Sequence, residues 1–517
     1  MNNAAASYPW KVLAVVSIGT FMASLDATIV NVCLAKFMVV FGVSSSIVQW
    51  VITAYLLAFV IMLAASGWAA DRFGTKTISL FALGLFTLGS CLCSVAWNIS
   101  ALIAFRFIQG LGGGLIQPVA LAIVGREVPR EKLGVAMGLF GIGMFASTSV
   151  GPTLGGWLID TYSWNVVFDI NVPIGIIAVI ACAIVLREHR AENSGAFDFP
   201  GFISIVVFLV GFIIALTSGN AAWNADGWKA PIVIGCFAAS VAGLIAFIAI
   251  ELSVPKPLID LSLFKRRNFT IASILFFSFG LGLFGADFLL PLYMQSVLGY
   301  SSQLAGFVFI PDGIALAIAA VISGKLTDRI GARAPAMAGI AILGYCFLRY
   351  TTLTLNTNVF FLLVTITLLG TGLGIISSPL QTTAMSQLPS PMFPQAAGLI
   401  SVIKQVGGSF GVAILSTLLT SRTTYHEAML SQAISKRSEV FATAMSSFSL
   451  SAFSRGGGTL SAARTEGGSA IAMLVKKHAA MSAINDVFAF AMIILVSTAV
   501  PILFIKEKKR PAGNSGN

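Results

Sequence analysis

Charge is what this chain has least of. Only 10% of its 517 residues are Asp, Glu, Lys or Arg, against 57% hydrophobic, and the mean hydropathy is +0.92. A soluble protein of this length could not cover its surface with so few charges. That leaves the bilayer as the main solvent. Histidine is equally scarce: His189, His426 and His478 all fall between the long apolar runs, so no His pair is expected in a membrane helix. The six cysteines, Cys33, Cys91, Cys93, Cys182, Cys236 and Cys346, lie within or beside apolar runs and lack the spacing of a disulfide framework or a metal site. There is no G-x-x-x-x-G-K-[ST] sequence, which excludes direct use of ATP through a P-loop. Nor is there a nucleophile elbow or a soluble stretch large enough to host catalysis. An enzyme is disfavoured, and neither a cofactor nor a metal is expected. The net charge of +11 would suit nucleic acid, but the basic residues sit in short segments between apolar runs, so no nucleic-acid partner is expected.

What is present is apolar length. A helix needs roughly 20 apolar residues to cross the hydrocarbon layer. On that measure the spans are 12–35, 46–68, 76–96, 100–124, 134–158, 164–186, 199–218, 231–252, 269–292, 304–326, 334–353, 359–380, 397–420 and 486–505, fourteen in all. The first run is too long for a signal-peptide core and lacks a small-residue cleavage site. An even count puts both termini on one side. With the N-terminus cytoplasmic, nineteen Lys and Arg lie inside, while the short outer loops carry only Lys36, Lys229 and Arg349. The positive-inside rule therefore places both termini in the cytoplasm of a multi-pass protein.

Two short loops repeat one another. GWAADRFGTK runs from Gly67 to Lys76, and GKLTDRIGAR from Gly324 to Arg333. Both contain G-x-x-x-D-R-[FI]-G, with Asp71, Arg72, Gly74 and Lys76 in one and Asp328, Arg329 and Gly331 in the other. Gly67 would let its span pack closely, Gly74 would permit a tight turn, and Asp71 would accept hydrogen bonds from a nearby helix N-terminus. One copy would pass for a charged turn, but two at matching positions imply duplication. The architecture expected is all-α: an N-terminal six-helix half over 1–190, two inserted spans with linkers over 191–264, and a C-terminal six-helix half over 265–517. The last includes a long outer loop at 421–485 and a cytoplasmic tail.

Further motifs carry a resemblance. R-x-x-Q-G-x-G-G occurs at Arg106, Gln109, Gly110, Gly112 and Gly113, and span five holds Gly138, Ser147, Gly151, Pro152, Gly155 and Gly156. With the loops, these resemble the major facilitator superfamily. The span-five pattern is similar to the antiporter signature of drug exporters, with Ser147 where that pattern usually has Gly. LDATIVNV at 25–32, QWVITAYLL at 49–57, INVPIG at 170–175, PLIDLSLFKRRNF at 257–269 and KQVGGSFGVAI at 404–414 narrow the resemblance to the fourteen-span drug:proton antiporters, the EmrB/QacA-like branch. Ala35, Asn165, Val166 and Lys404 depart from that pattern. The resemblance implies the major facilitator fold and alternating access in a bacterial cytoplasmic (inner) membrane. It also implies that the two DRxG loops act as a conformational latch and that Pro152 and its glycines let span five rock against the opposite half.

Ionisable residues inside spans are functional candidates. Asp26 and Arg106 lie about 13 and 9 Å below the outer face at 1.5 Å per residue, so the two could pair across the N-terminal half. Such a pair serves either proton coupling or helix packing. Asp287 and Asp312, in spans nine and ten, have no Lys or Arg at their depth in the same half, which suits them to proton exchange. The alternative for Asp312, between Pro311 and Gly313, is to satisfy backbone groups at a helix break. Gln109, Gly113, Phe284, Tyr293 and Met294 are candidates to line a substrate cavity.

The expected function is proton-driven export of amphipathic, often cationic compounds. The expected partners are a small-molecule substrate, protons and membrane lipids. In similar pumps of double-membrane bacteria a periplasmic adaptor and an outer-membrane channel extend the path, and loop 421–485 would meet them. Two alternatives stay open: export of one native substrate such as a lipid, siderophore or sugar, or a non-transporting membrane sensor with the same fold.

Overall fold

A computed structural model describes residues 2–190, 196–219, 221, 224, 226–255, 257–389, 392–433, 443, 445–447, 450 and 460–505; among them all regular structure is helical. In lipid every backbone polar group needs a partner within the chain, and helices supply it. The main helices are α1 (Asn2–Phe41), α2 (Trp50–Phe73), α3 (Thr75–Ser94), α4 (Ile99–Glu127), α5 (Leu133–Thr161), α6 (Asn171–Val185), α7 (Phe199–Gly219), α8 (Pro231–Ser253), α9 (Arg267–Leu292), α10 (Ile310–Ile330), α11 (Arg333–Tyr350), α12 (Val359–Met385), α13 (Phe393–Ala433) and α14 (Leu460–Ser497). Short helices at Val166–Asp169 and Ser302–Val308 lead into α6 and α10. Each expected span therefore has its helix, and among the described residues eleven stretches are long and apolar enough by themselves to cross a membrane.

Local chemistry sets the ends. Asn98 accepts from the Ala101 amide at 2.7 Å to start α4, and Asn358 accepts from the Phe360 amide at 3.0 Å to start α12. Gly74 (φ 97°) and Gly331 (φ 94°) stop α2 and α10 in a backbone region that favours glycine, which explains the final Gly of both DRxG repeats.

Helices α1–α6 pack as one group: α2 and α3 against α4, and α1 against α5 and α6. Helices α9–α14 form another, with α10 on α12, α9 on α13, and α11 on α12 and α14. The groups meet where α5 lies along α10 and α12, and where α13 crosses α2 and α4. Helices α7 and α8 pack on one another at the periphery. They touch the rest through α7, where the rings of Phe212 and Phe410 stack 5.9 Å apart. Outward-facing side chains such as Ile184 (78% exposed) and Leu252 (72%) are apolar, as a lipid-facing surface requires.

Two expectations change. Spans thirteen and fourteen belong to helices of 41 and 38 residues, about twice the length a bilayer needs. Residues 421–433 and 460–485 thus continue helices rather than forming a loop, while most of 434–459 lies outside the described residues, as does the tail 506–517. Hydropathy marks only the stretch of a helix in lipid, so polar extensions escape it. Asp486, the first residue of the expected span 486–505, sits inside α14. It accepts from Arg422 Nε at 2.8 Å and from His426 Nε2 at 2.9 Å, tying the extended helices together.

Candidate functional site

Asp26 and Arg106 meet inside the first helix group. Arg106 Nη1 donates to Asp26 Oδ2 at 2.6 Å, and both side chains are 1% exposed or less. An ion pair removed from water persists only if its remaining donors and acceptors are filled, and here neighbouring helices fill them. Gln109, one turn on from Arg106 in α4, takes Nη1 on its Oε1 at 2.5 Å and donates Nε2 to Asp26 Oδ1 at 3.0 Å. Ser90 of α3 accepts from the same Nε2 at 2.6 Å, and Asn171 at the start of α6 donates to Asp26 Oδ1 at 2.9 Å. From α2, the Val51 carbonyl accepts from Arg106 Nε at 3.4 Å, and the Tyr55 ring lies 4.2 Å beneath the guanidinium. Five helices thus converge on one carboxylate and one guanidinium. Gly110 and Gly113 make room: a side chain at Gly110 would strike the Tyr55 backbone, and one at Gly113 would come within 2.6 Å of the Tyr55 hydroxyl.

The glycines of span five face a different partner from the one expected. Side chains at Gly151 or Gly155 would run into Thr28 and Ile29 of α1, and Thr28 Oγ1 donates to the Ser147 carbonyl at 3.1 Å. This face packs within its own group, one turn from Asp26. Spacing announced close approach without saying to which helix. A side chain at Gly156 would meet open space. Contact with the opposite group comes from other small residues of α5: Gly138 lies against Ala320, and Thr153 against Gly306. The second group repeats the first arrangement, because Gly407 and Gly411 of α13 press on Phe277 and Leu281 of α9.

Both DRxG loops reach the N-terminus of a helix in the other group. Asp328 accepts from the amides of Gly134 (2.8 Å) and Val135 (3.0 Å) at the start of α5, and a side chain at Gly324 would lie 2.7 Å from Val135 Cα. Ser378 of α12 donates to the Gly134 carbonyl at 2.6 Å. Asp71 meets Gln395 at the start of α13, whose Nε2 lies 3.4 Å away, and a side chain at Gly67 would lie 2.9 Å from Gln395 Cα. Arg130 Nη2 adds a bond to the Leu388 carbonyl at 3.0 Å. The groups are therefore joined at the end that carries the loops. Arg72 and Arg329 are exposed, and Lys76 donates to the Ala183 carbonyl at 2.6 Å.

The remaining candidates scatter. Asp312, 5% exposed, sits in the first turn of α10 beside the break at Phe309 and against Gly370 of α12, away from the Asp26 cluster. Tyr293 and Met294 are fully buried in a π-turn that ends α9. The Tyr293 hydroxyl donates to the Thr354 carbonyl at 2.6 Å, which gives it a structural role at the end of α11. Gln109 belongs to the ion-pair network. The side chains of Pro152, Phe284 and Asp287 lie outside the described residues. Ser90 and Asn171 were not among the sequence candidates, since neutral polar residues in a span carry no mark. Glu188 was also missed: it accepts from the Lys76 and Thr77 amides, both at 3.0 Å, and caps α3 directly over Gly74.

The family model described as Major Facilitator Superfamily matches residues 16–412. The multidrug resistance protein B homolog of Mycobacterium tuberculosis is 36% identical over 415 residues, covering 79% of this chain and 76% of its own length. The tetracenomycin C resistance and export protein of Streptomyces glaucescens is 31% identical over 415 residues, 80% of this chain and 76% of its own. The solved structure of the human organic anion transporter MFSD10 (TETRAN) overlays with a TM-score of 0.57 at 13% identity, covering 94% of this chain and 99% of that one, a likeness of fold alone.

Proposed function

The chain belongs to the Major Facilitator Superfamily, and from that premise we propose that it is a multidrug exporter driven by protons. It moves amphipathic, often cationic compounds across the membrane by alternating access. Its two six-helix groups, 1–190 and 265–517, rock about a central path, and 191–264 supplies two peripheral spans. The observation that carries this reading is the Asp26–Arg106 pair, wholly buried within a transporter fold. Adding a proton to Asp26 neutralises one partner of a desolvated pair and releases the other. That changes the balance between packing arrangements. Asp312 and Asp287 are proposed as further proton carriers in the second group.

The protein works in a bacterial cytoplasmic (inner) membrane with both termini inside, as the distribution of Lys and Arg favours. The extensions of α13 and α14 support an outer partner, a periplasmic adaptor and outer-membrane channel. Cells lacking their own pumps and overproducing the protein are expected to accumulate less of a fluorescent cationic dye, and a protonophore is expected to restore accumulation. Unchanged accumulation on overproduction overturns the exporter reading. Full-rate transport in both Asp26→Asn and Asp312→Asn overturns the coupling assignment.

A further inference from the structure

Asn171 has a hydrogen-bonding peculiarity that the other members of the Asp26 cluster do not share. Its Nδ2 donates to Asp26 Oδ1 at 2.9 Å, while its own Oδ1, on a side chain with no solvent exposure, meets no donor among the described residues. Leaving a buried amide oxygen unpaired costs about 1–3 kcal/mol. Gln109 is committed at both ends, with Oε1 to Arg106 and Nε2 to Asp26 and Ser90. A turn of Gln109 would break four bonds, counting the one its Oε1 accepts from Cys93 Sγ at 3.8 Å, whereas a turn of Asn171 breaks one.

An amide is a donor at one end and an acceptor at the other, and half a turn about χ2 exchanges them. An ionised carboxylate only accepts; a protonated one also donates. We propose that Asn171 is the positioning residue that follows the protonation state of Asp26. It gives Nδ2–H to the carboxylate and, turned over, offers Oδ1 to the O–H of the acid. The inference rests on the reading of Asp26 as a proton carrier and adds where the proton sits. Oδ2 faces the Arg106 guanidinium, which favours negative charge there, so the O–H bond forms on Oδ1, toward α6. The proton comes from water on the outer side and leaves to water on the inner side, with no other bond made or broken. Arg106 is the cation at this site, and Tyr55, Cys33 and Cys93 are the other titratable groups around Asp26. Thiols and phenols ordinarily keep their proton near neutral pH, so these three remain donors, which leaves Asn171 as the member whose bonding reverses.

Infrared difference spectra between alkaline and acid pH, taken on the full-length protein in lipid vesicles, test this. The carboxylic C=O band of protonated Asp26 is the one lost in Asp26→Asn. In Asn171→Leu that band is expected to move to higher frequency, because its O–H has lost its acceptor. In Asn171→Ser, whose hydroxyl both donates and accepts, it is expected to stay near the wild-type position. Asn171→Ala removes both ends without added bulk and serves if the leucine variant does not fold. An Asp26 band insensitive to both Leu and Ala overturns the role of Asn171 alone. The absence of any band lost in Asp26→Asn overturns the Asp26 reading, and this inference with it.

Discussion

The loop after α2 and the loop after α10 share G-x-x-x-D-R-[FI]-G, yet their aspartates are bonded differently. Asp328 holds two backbone amides at the start of α5, 2.8 and 3.0 Å away, where the helix dipole adds to the attraction. Asp71 faces the corresponding start of α13 through one side-chain amide at 3.4 Å. The first loop is instead fastened within its own group. Glu188 caps α3, the Thr75 amide donates to the His189 carbonyl at 3.0 Å, and Lys76 reaches the Ala183 carbonyl. Equal motifs have diverged: one bonds across the groups, and the other mainly steadies the loop that touches across them.

Breaking the stronger of these two contacts between the groups is expected to give the largest effect. Asp328→Ala removes two charge-assisted bonds and leaves two helix-terminal amides seeking partners, a loss of about 1–3 kcal/mol from the arrangement closed at this end. At about 1.4 kcal/mol per factor of ten, the ratio of closed to open forms falls roughly five- to a hundred-fold. Distance measurements between spin labels at the loop ends of α5 and α10 read this directly. Asp71→Ala is expected to shift the ratio much less. Equal shifts would erase the distinction between the loops.

Packing provides the sharper control, since here the loops are alike. A side chain at Gly324 would sit 2.7 Å from Val135 Cα, and one at Gly67 would sit 2.9 Å from Gln395 Cα, both against backbone that cannot swing aside. Overpacking of this kind costs about 1–3 kcal/mol. Gly324→Ala and Gly67→Ala are therefore expected to open this end to a similar degree in the same spin-label measurement. A silent Gly67→Ala would mean that the first loop makes no closing contact. Glu188→Ala comes next. It strips the cap from α3, a loss of about 1 kcal/mol, and all its partners lie in the first group. The thermal midpoint is expected to fall while the ratio of closed to open forms stays unchanged.

The buried ion pair was legible because ionisable residues in spans are rare and depth can be counted along a helix, so Asp26 and Arg106 stood at matching levels. Their neutral partners were not, since Ser90 and Asn171 are polar residues of a kind that turns up in many spans. Glu188 was hidden among the charges of a polar linker, where nothing in the sequence separates a helix cap from a solvated surface. Gly151 and Gly155 announced a close contact, but spacing along one helix says nothing about which neighbour comes close. The extensions of α13 and α14 escaped because hydropathy registers only the part of a helix in lipid.

The smallest effect is the most discriminating. Gln395→Ala removes a single bond of 3.4 Å, so by itself it is expected to change the closed-to-open ratio less than about three-fold, within roughly 0.5 kcal/mol. Gln395→Glu keeps the length of the side chain but sets a carboxylate against Asp71, turning a weak attraction into repulsion between groups in helices that must touch for closure. It is expected to open the end more than the alanine variant does, and adding Asp71→Asn should recover most of the loss. If glutamate at 395 proves as mild as alanine, Asp71 does not face α13 when the groups close. The first loop then meets the other group through Gly67 alone.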